Sequence, residues 1–293
     1  MNYSKEKPLV VLSLGGGVQS SVIALMIAHG ELPMVDCAIF ADTQHEPRFT
    51  KTLNPKDNTW IEGGIYGWLD WLEKQVPFPI YRVSAGDLAK DSLIIRTSKV
   101  KGRRYTKSYV PAFISKKGGR RGILARKCTR DYKIRPIYKK IKQLLGCKYG
   151  PKIVHCISMI GISIDEAHRM KPSGVKYISN SYPLIDKGMS RKDCIIWMQK
   201  NGYPMPSRSA CTFCPFHSDE EWINLRDNSP EDFKLAAQFE KELQDVLSED
   251  ETMNGYPYLH SSCVPIRQVI FKELPSHQQV NNFGNECEGM CGV

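Results

Sequence analysis

Near its start the chain runs from an apolar stretch through three glycines into a helix-patterned segment, an order that few backbone architectures accommodate. Residues 8–14 (PLVVLSL) are apolar almost throughout, as a parallel strand covered on both faces must be. Gly15, Gly16 and Gly17 then turn the chain, and residues 20–29 (SSVIALMIAH) carry the apolar spacing of a helix. Such a turn predicts a phosphate cradle. Glycines let backbone N–H groups approach an anion, the helix N-terminus adds partial positive charge, and Ser20 or Ser21 supplies a hydroxyl. A tight packing turn is the bland reading of the glycines alone.

A second apolar run, residues 37–41 (CAIFA), ends in Asp42 and Thr43. That places a carboxylate at the carboxyl end of a neighbouring strand, where open α/β sheets bind ligands and where it could accept from a ribose hydroxyl or an adenine amino group. Further strands are expected at residues 78–84 and 152–163, the latter leading into Asp165, Glu166, His168 and Arg169. A broken helix is expected over 59–76, with Trp60, Trp68 and Trp71 packing. Others are expected over 131–145, over 190–200 behind a Ser190/Asp193 capping box, and from Ser229-Pro230 to about Leu247. The fold class is therefore α/β, doubly wound around a mostly parallel sheet, with residues 1–215 as the main domain and a helical C-terminal cap over 216–293.

Charge is strongly one-sided. Residues 96–152 hold twenty Lys and Arg against one acid, Asp131, a local charge of +19; the whole chain carries +10, so the remainder is at −9. Such a field attracts polyanions, because cations displace the counterions condensed on a phosphate backbone. A nucleic acid, RNA or DNA, is the expected partner, with Arg103, Arg104, Arg120 and Arg121 as contacts within a basic insertion at about 96–127, and Tyr105, Tyr109 and Phe113 available to stack on bases. A solvated lysine-rich face is the alternative. The KKGGRR stretch at 116–121 reads as a flexible, exposed insertion.

Several motifs in a fixed order resemble one superfamily. LSLGGGVQSS (12–21) followed by FADT (40–43) looks like the PP-loop of the adenine nucleotide alpha-hydrolase-like enzymes, whose fold is Rossmann-like. The nearest likeness is to the phosphoadenosine phosphosulfate (PAPS) reductase family, and it continues through KCTRDYKIRPI (127–137), GISIDEAHR (161–169) and YPLIDKGMSRKD (182–193). The resemblance implies an adenine nucleotide, ATP or PAPS, held by Ser13, Gly15, Gly16, Gly17, Gln19, Ser20, Asp42 and Arg169. ATP-cleaving members usually read Ser-Gly-Gly-x-Asp-Ser; here Gly15 replaces the Ser and Gln19 the Asp, which resembles the reductase-type loop. Asp42, Asp165 or Glu166 then remain to help hold Mg²⁺.

Ten cysteines in a chain expected to be cytoplasmic read as metal ligands, reactive thiols or small hydrophobes. Cys211 and Cys214 form a C-x-x-C, and Cys128 stands where the family has its upstream cysteine; relatives use such a set for an iron-sulfur cluster. Cys128, Cys211, Cys214 and His217 would serve zinc equally well by spacing. Arg126, Lys127 and Arg130 are expected to keep the Cys128 thiolate ionised. Cys37, Cys147, Cys156, Cys194 and Cys263 read as core. The terminal NECEGMCGV resembles the Glu-Cys-Gly tail with which the reductases attack sulfur, making Cys287 and Cys291, with Asp165 and Glu166, the catalytic candidates.

Three functions follow as expectations. The first is an enzyme transferring sulfur to a nucleic acid from a sulfur donor; the second a PAPS reductase served by a thioredoxin-like reductant; the third a zinc-stabilised nucleic-acid binder without catalysis. No run of about eighteen apolar residues predicts a membrane span.

Overall fold

A computed structural model describes residues 3–4, 6–107, 109–116, 121–148, 155–253 and 255–272. Arg120, Cys287 and Cys291 lie outside the described residues. The first half contains β1 (Leu9–Leu14), α1 (Val18–Ala28), β2 (Cys37–Asp42), β3 (Thr52–Asn54), β4 (Thr59–Ile61), α2 (Gly64–Glu73), β5 (Ile80–Ser84) and α3 (Leu88–Ser92). The basic region follows as β6 (Ile95–Thr97), β7 (Arg104–Thr106), β8 (Phe113–Ser115), β9 (Arg121–Ile123) and a π-helical turn (Thr129–Ile134) that runs into α4 (Arg135–Leu144). Then come β10 (Cys156–Ile160), a 3-10 turn (Ile164–Arg169), β11 (Ile178–Ser181), α5 (Pro183–Asp186), α6 (Arg191–Lys200), α7 (Asp219–Asn228), α8 (Pro230–Ser248) and β12 (Tyr256–Tyr258).

Five strands form one parallel sheet in the order β11-β10-β1-β2-β5. Alternation along the strands separates two cores. Leu12, Leu14, Ala38 and Phe40 pack with α1, α2 and α6, whereas Leu9, Val11, Cys37 and Ile39 pack with Ile137 and Ile141 of α4. Helices therefore cover both faces, as the uninterrupted apolar strands require. Strand order reverses between β1 and β10, which opens the crevice where ligands of such sheets bind.

A third core joins α3, Val110, Ala112 and Tyr132 to Phe213, Trp222 and the apolar face of α8. Residues on either side of position 215 thus share one interior. The α6 capping box forms as the sequence predicts, Ser190 and Asp193 exchanging backbone and side-chain bonds. A second box, Ser218 with Glu221, starts α7, which the sequence reading had not singled out. At α8 the Ser229 hydroxyl donates to Asp232 and makes no cap bond to backbone.

Other boundaries differ for identifiable reasons. Residues 59–61 pair with 52–54 as a hairpin, so α2 starts only at Gly64 and Trp60 is 59% exposed, not packed. Pro136 has no N–H to give to Tyr132, and the expected helix accordingly opens as a wider π turn already at Thr129. The basic region is built of antiparallel pairs, β6 with β7 and β8 with both β9 and β12, so Arg121 begins a strand in place of an open linker. Cys37, Cys156 and Cys194 are buried as expected, while Cys147 and Cys263 are only half-buried. Among the described residues no helix is long and apolar enough to cross a membrane.

Candidate functional site

The triple-glycine turn closes β1 at the mouth of the crevice. Gly16 has φ +82°, and a Cβ there would lie 3.3 Å from Ile65 Cγ2 and 3.5 Å from Ser209 Oγ. Glycine is needed on both counts. The Ser20 hydroxyl accepts from the Gly15 N–H at 3.1 Å and donates to the Gly17 carbonyl, while Ser21 Oγ accepts from the Trp68 indole at 3.0 Å. Both hydroxyls expected to meet a phosphate thus hold the turn and the core. Ser13 Oγ, at the end of β1, is buried without a hydrogen-bond partner among the described residues.

Gln19 spans the crevice between α1 and the loop after β10. Its fully buried amide donates to Ser163 Oγ at 2.9 Å and Glu166 Oε2 at 2.6 Å, and accepts from the Arg191 guanidinium at 3.1 Å. Glu166 takes Arg169 on its other oxygen. Asp165 accepts the Arg191 backbone N–H at 3.1 Å, at the start of α6. Of the expected catalytic and nucleotide-binding residues here, Gln19, Glu166 and Arg169 are therefore bound to one another, and Asp165 to the backbone of α6. On β2, Asp42 Oδ1 accepts from the Tyr66 hydroxyl at 2.8 Å and from the Gln44 N–H at 2.7 Å. Burial and the Asp42 charge raise the Tyr66 phenol, which stays a donor.

The C-x-x-C turn lies against the same end of the sheet. Cys211 Sγ is 3.1 Å from Thr43 Oγ1, the Thr212 N–H donates to the His45 carbonyl at 2.8 Å, and the Cys214 N–H closes the turn on the Cys211 carbonyl. Ser209, two residues earlier, has its Oγ 3.5 Å from where a Cβ on Gly16 would stand and donates to Glu46 Oε2 at 3.0 Å. Although Cys211 keeps some surface as a residue, burial of its sulfur, reinforced by the Glu46 charge, raises the thiol well above its ordinary value against the pull of Lys133 and Thr43.

Cys128 stands before the π turn, its N–H bonded to the Tyr109 carbonyl, and like Cys211 it packs against the third core. The cations flanking it reach other groups: Arg126 lies over the Phe216 ring at 5.3 Å, Lys127 donates to the Lys107 carbonyl, and Arg130 pairs with Asp131. His217 Nδ1 is buried without a partner, and burial, with Arg208 beside it, drives the imidazole down to about 3. Among the described residues no three His, Cys, Asp or Glu side chains are close enough to share a metal ion.

Two groups in this region escaped the sequence reading. Glu46 and Lys133 face each other at 3.7 Å with almost no exposure, and burial raises the Glu46 carboxyl despite the lysine and Ser209. Lys133 lies within the KCTRDYK motif, which was its only signal; Glu46 had none. His45 bonds Asp87 at 2.7 Å and lies tilted against the Phe213 ring, the centroids 4.9 Å apart. Burial alone would raise the Asp87 carboxyl, but bonds from His45 and the Lys90 N–H bring it below its usual value. Of the arginines expected to meet nucleic acid, Arg104 pairs with Glu249 and Arg121 donates to the Ser261 carbonyl at 3.2 Å, while Arg103 is exposed at the hairpin end. No protein-family model and no curated protein matches this sequence.

Proposed function

We propose that the chain is a PP-loop enzyme of the PAPS reductase type that binds an adenine nucleotide at the triple-glycine turn and transfers sulfur to a nucleic acid. One observation carries this reading: Ser209 Oγ lies 3.5 Å from where a Cβ on Gly16 would stand, and two residues on Cys211 Sγ meets Thr43 at the carboxyl end of β2. A phosphate bound at the bend therefore lies beside the thiols. The turn and the N-terminus of α1 hold the phosphates. Asp42 Oδ2, which accepts no bond among the described residues, takes a ribose hydroxyl or the adenine amino group.

An acceptor oxygen of the nucleic acid attacks the α-phosphate of ATP and releases pyrophosphate. A donor persulfide then attacks the activated carbon, its terminal sulfur is retained after reduction of the S–S bond by a thiol, and AMP leaves. Cys211, Cys214, Cys128 and His217 are the residues that would hold a cluster or zinc ion, and bringing them onto one ion requires side-chain movement. The orphaned His217 Nδ1 favours some such ligand. When bound, a cluster with an open iron supplies a place to hold exogenous sulfur.

Gln19 favours a second reading of the same site, because its amide puts no carboxylate on α1 to hold Mg²⁺. There a thiol of Cys287 or Cys291 attacks the sulfonate sulfur of PAPS, adenosine 3′,5′-bisphosphate leaves, and a thioredoxin-like dithiol releases sulfite. Protein purified without oxygen and incubated with ATP or PAPS, with and without RNA or DNA, separates the readings. Nucleic-acid-dependent pyrophosphate release supports sulfur transfer, and sulfite release supports the reductase. Protein inert to both nucleotides, with zinc as its metal, leaves the non-catalytic binder.

A further inference from the structure

A concentration of positive charge lies next to Cys128, at residues other than the arginines that the sequence singles out. A cleft of about 600 Å³ is lined by Arg96, Lys107, Lys127, Arg130 and Arg135, with Tyr105 among them. Its two acids are already committed. Asp131, 12% exposed in its side chain, accepts from Arg130 Nε at 3.0 Å and Arg135 Nη1 at 2.7 Å, leaving those guanidiniums 54% and 65% exposed. Asp91 accepts the Tyr132 hydroxyl. The acids orient the cations, which keep donors to spare, since a guanidinium carries five N–H groups.

The π turn links this cleft to the proposed reaction site. Arg130 and Asp131 line the cleft, while Lys133 of the same turn reaches the buried Glu46, which accepts from Ser209, two residues before Cys211. Lys127 and Arg130 of the cleft lining also flank Cys128 in the chain. A cation-lined concavity that also offers a half-buried tyrosine, Tyr105, and the Tyr109 ring suits a strand whose bases are unpaired, because only such bases can stack on side chains.

We infer that this cleft seats the sugar–phosphate backbone of a single-stranded nucleic acid, delivering it to the thiol site. The inference deepens the nucleic-acid reading above and rests on it for the partner's class. Arg96, Lys107 and Arg135 contact phosphates, and Tyr105 stacks on a base.

The test is fluorescence anisotropy with fluorescein-labelled 20-nucleotide single-stranded DNA and RNA, without ATP, across a salt series. The variant Arg96→Ala/Lys107→Ala/Arg135→Ala is compared with Lys74→Ala/Lys99→Ala/Lys101→Ala, which removes the same charge from exposed side chains outside the cleft, two of them at the end of the β6–β7 hairpin. The cleft variant is expected to bind about tenfold more weakly or worse, with the slope of log K against log salt shallower by about 2. The comparison variant stays within about twofold, and Tyr105→Ala loses about fivefold. Preference for the DNA or the RNA strand names the source of the phosphates.

Equal losses in the two triple variants, with both folded by circular dichroism, overturn the inference. So does stronger competition by the matching duplex or by polyglutamate than by the unlabelled strand. Should the cleft variant misfold, Lys107→Glu alone must still weaken binding more than Lys101→Glu. Sulfur transfer is read separately: strand binding at the cleft without pyrophosphate release refutes the enzyme and keeps the cleft, and pyrophosphate release that depends on a strand not bound there does the opposite.

Discussion

The Lys133 ammonium lies 3.7 Å from Glu46 Oε1, and the two side chains are 7% and 0% exposed. The pair joins the π turn to the loop after β2, directly behind the C-x-x-C turn. A buried ion pair adds little over apolar packing, but losing one partner strands a charge. Lys133→Met is therefore expected to destabilise the protein by about 3–5 kcal/mol at pH 8 in urea unfolding. The Glu46 carboxyl already sits above its usual value and would rise further, so its folded form gains from protonation. The deficit should shrink as pH falls towards 5 and stay flat in Lys133→Met/Glu46→Gln; a pH-independent deficit in the single variant contradicts this account.

Gly16→Ala combines a left-handed backbone with contacts of 3.3 Å to Ile65 and 3.5 Å to Ser209. A loss of about 1–2 kcal/mol is expected from the backbone alone. Because the bend must shift to relieve the backbone and the Ile65 contact, adenine nucleotide affinity measured by calorimetry should fall as well. Unchanged affinity in a folded variant would separate the bend from the nucleotide.

Gln19→Glu sets a second carboxylate where the amide now lies 2.6 Å from Glu166 Oε2. Two close carboxylates cannot both ionise cheaply, so one is raised and the variant should melt well below wild type at pH 8, recovering towards pH 5. If the variant melts like wild type at pH 8, Gln19 is not the bridge across the crevice described above.

The His217 imidazole is held down to about 3 by burial, against an unfolded value near 6.5. Its folded pKa is depressed, so the unfolded chain binds the extra proton and stability is lost as pH falls below about 6.5. Metal-free protein should lose about 1.4 kcal/mol per pH unit from this group between pH 6 and 5, and His217→Phe should flatten that slope. Bound zinc or a cluster on His217 would move the loss to lower pH, which makes the same titration a test for the ligand.

Legibility followed the range of each signal. The β1–Gly turn–α1 unit, β2 ending at Asp42, β5, and the Ser190 cap were readable because period, glycine and capping chemistry act within a few residues. The hairpin that exposes Trp60 was not, since a three-residue strand has too short a pattern to compete with a helical reading. The charge of the basic region was legible and the intramolecular partners of its arginines were not: Arg104 pairs with Glu249 and Arg121 donates to the Ser261 carbonyl, each more than a hundred residues away in the chain.

By itself the sequence determined a parallel sheet with helices on both faces, a glycine bend after its first strand, and a region of concentrated positive charge. Periodicity and composition are local quantities and need no partner to be read. Tertiary structure alone decided that Ser209 donates to Glu46, that Gln19 is spent on Glu166, Ser163 and Arg191, and that Lys133 turns inward to Glu46. Each is a contact between residues far apart in the chain, and the packing of helix on sheet selects the one partner within hydrogen-bond or ion-pair reach.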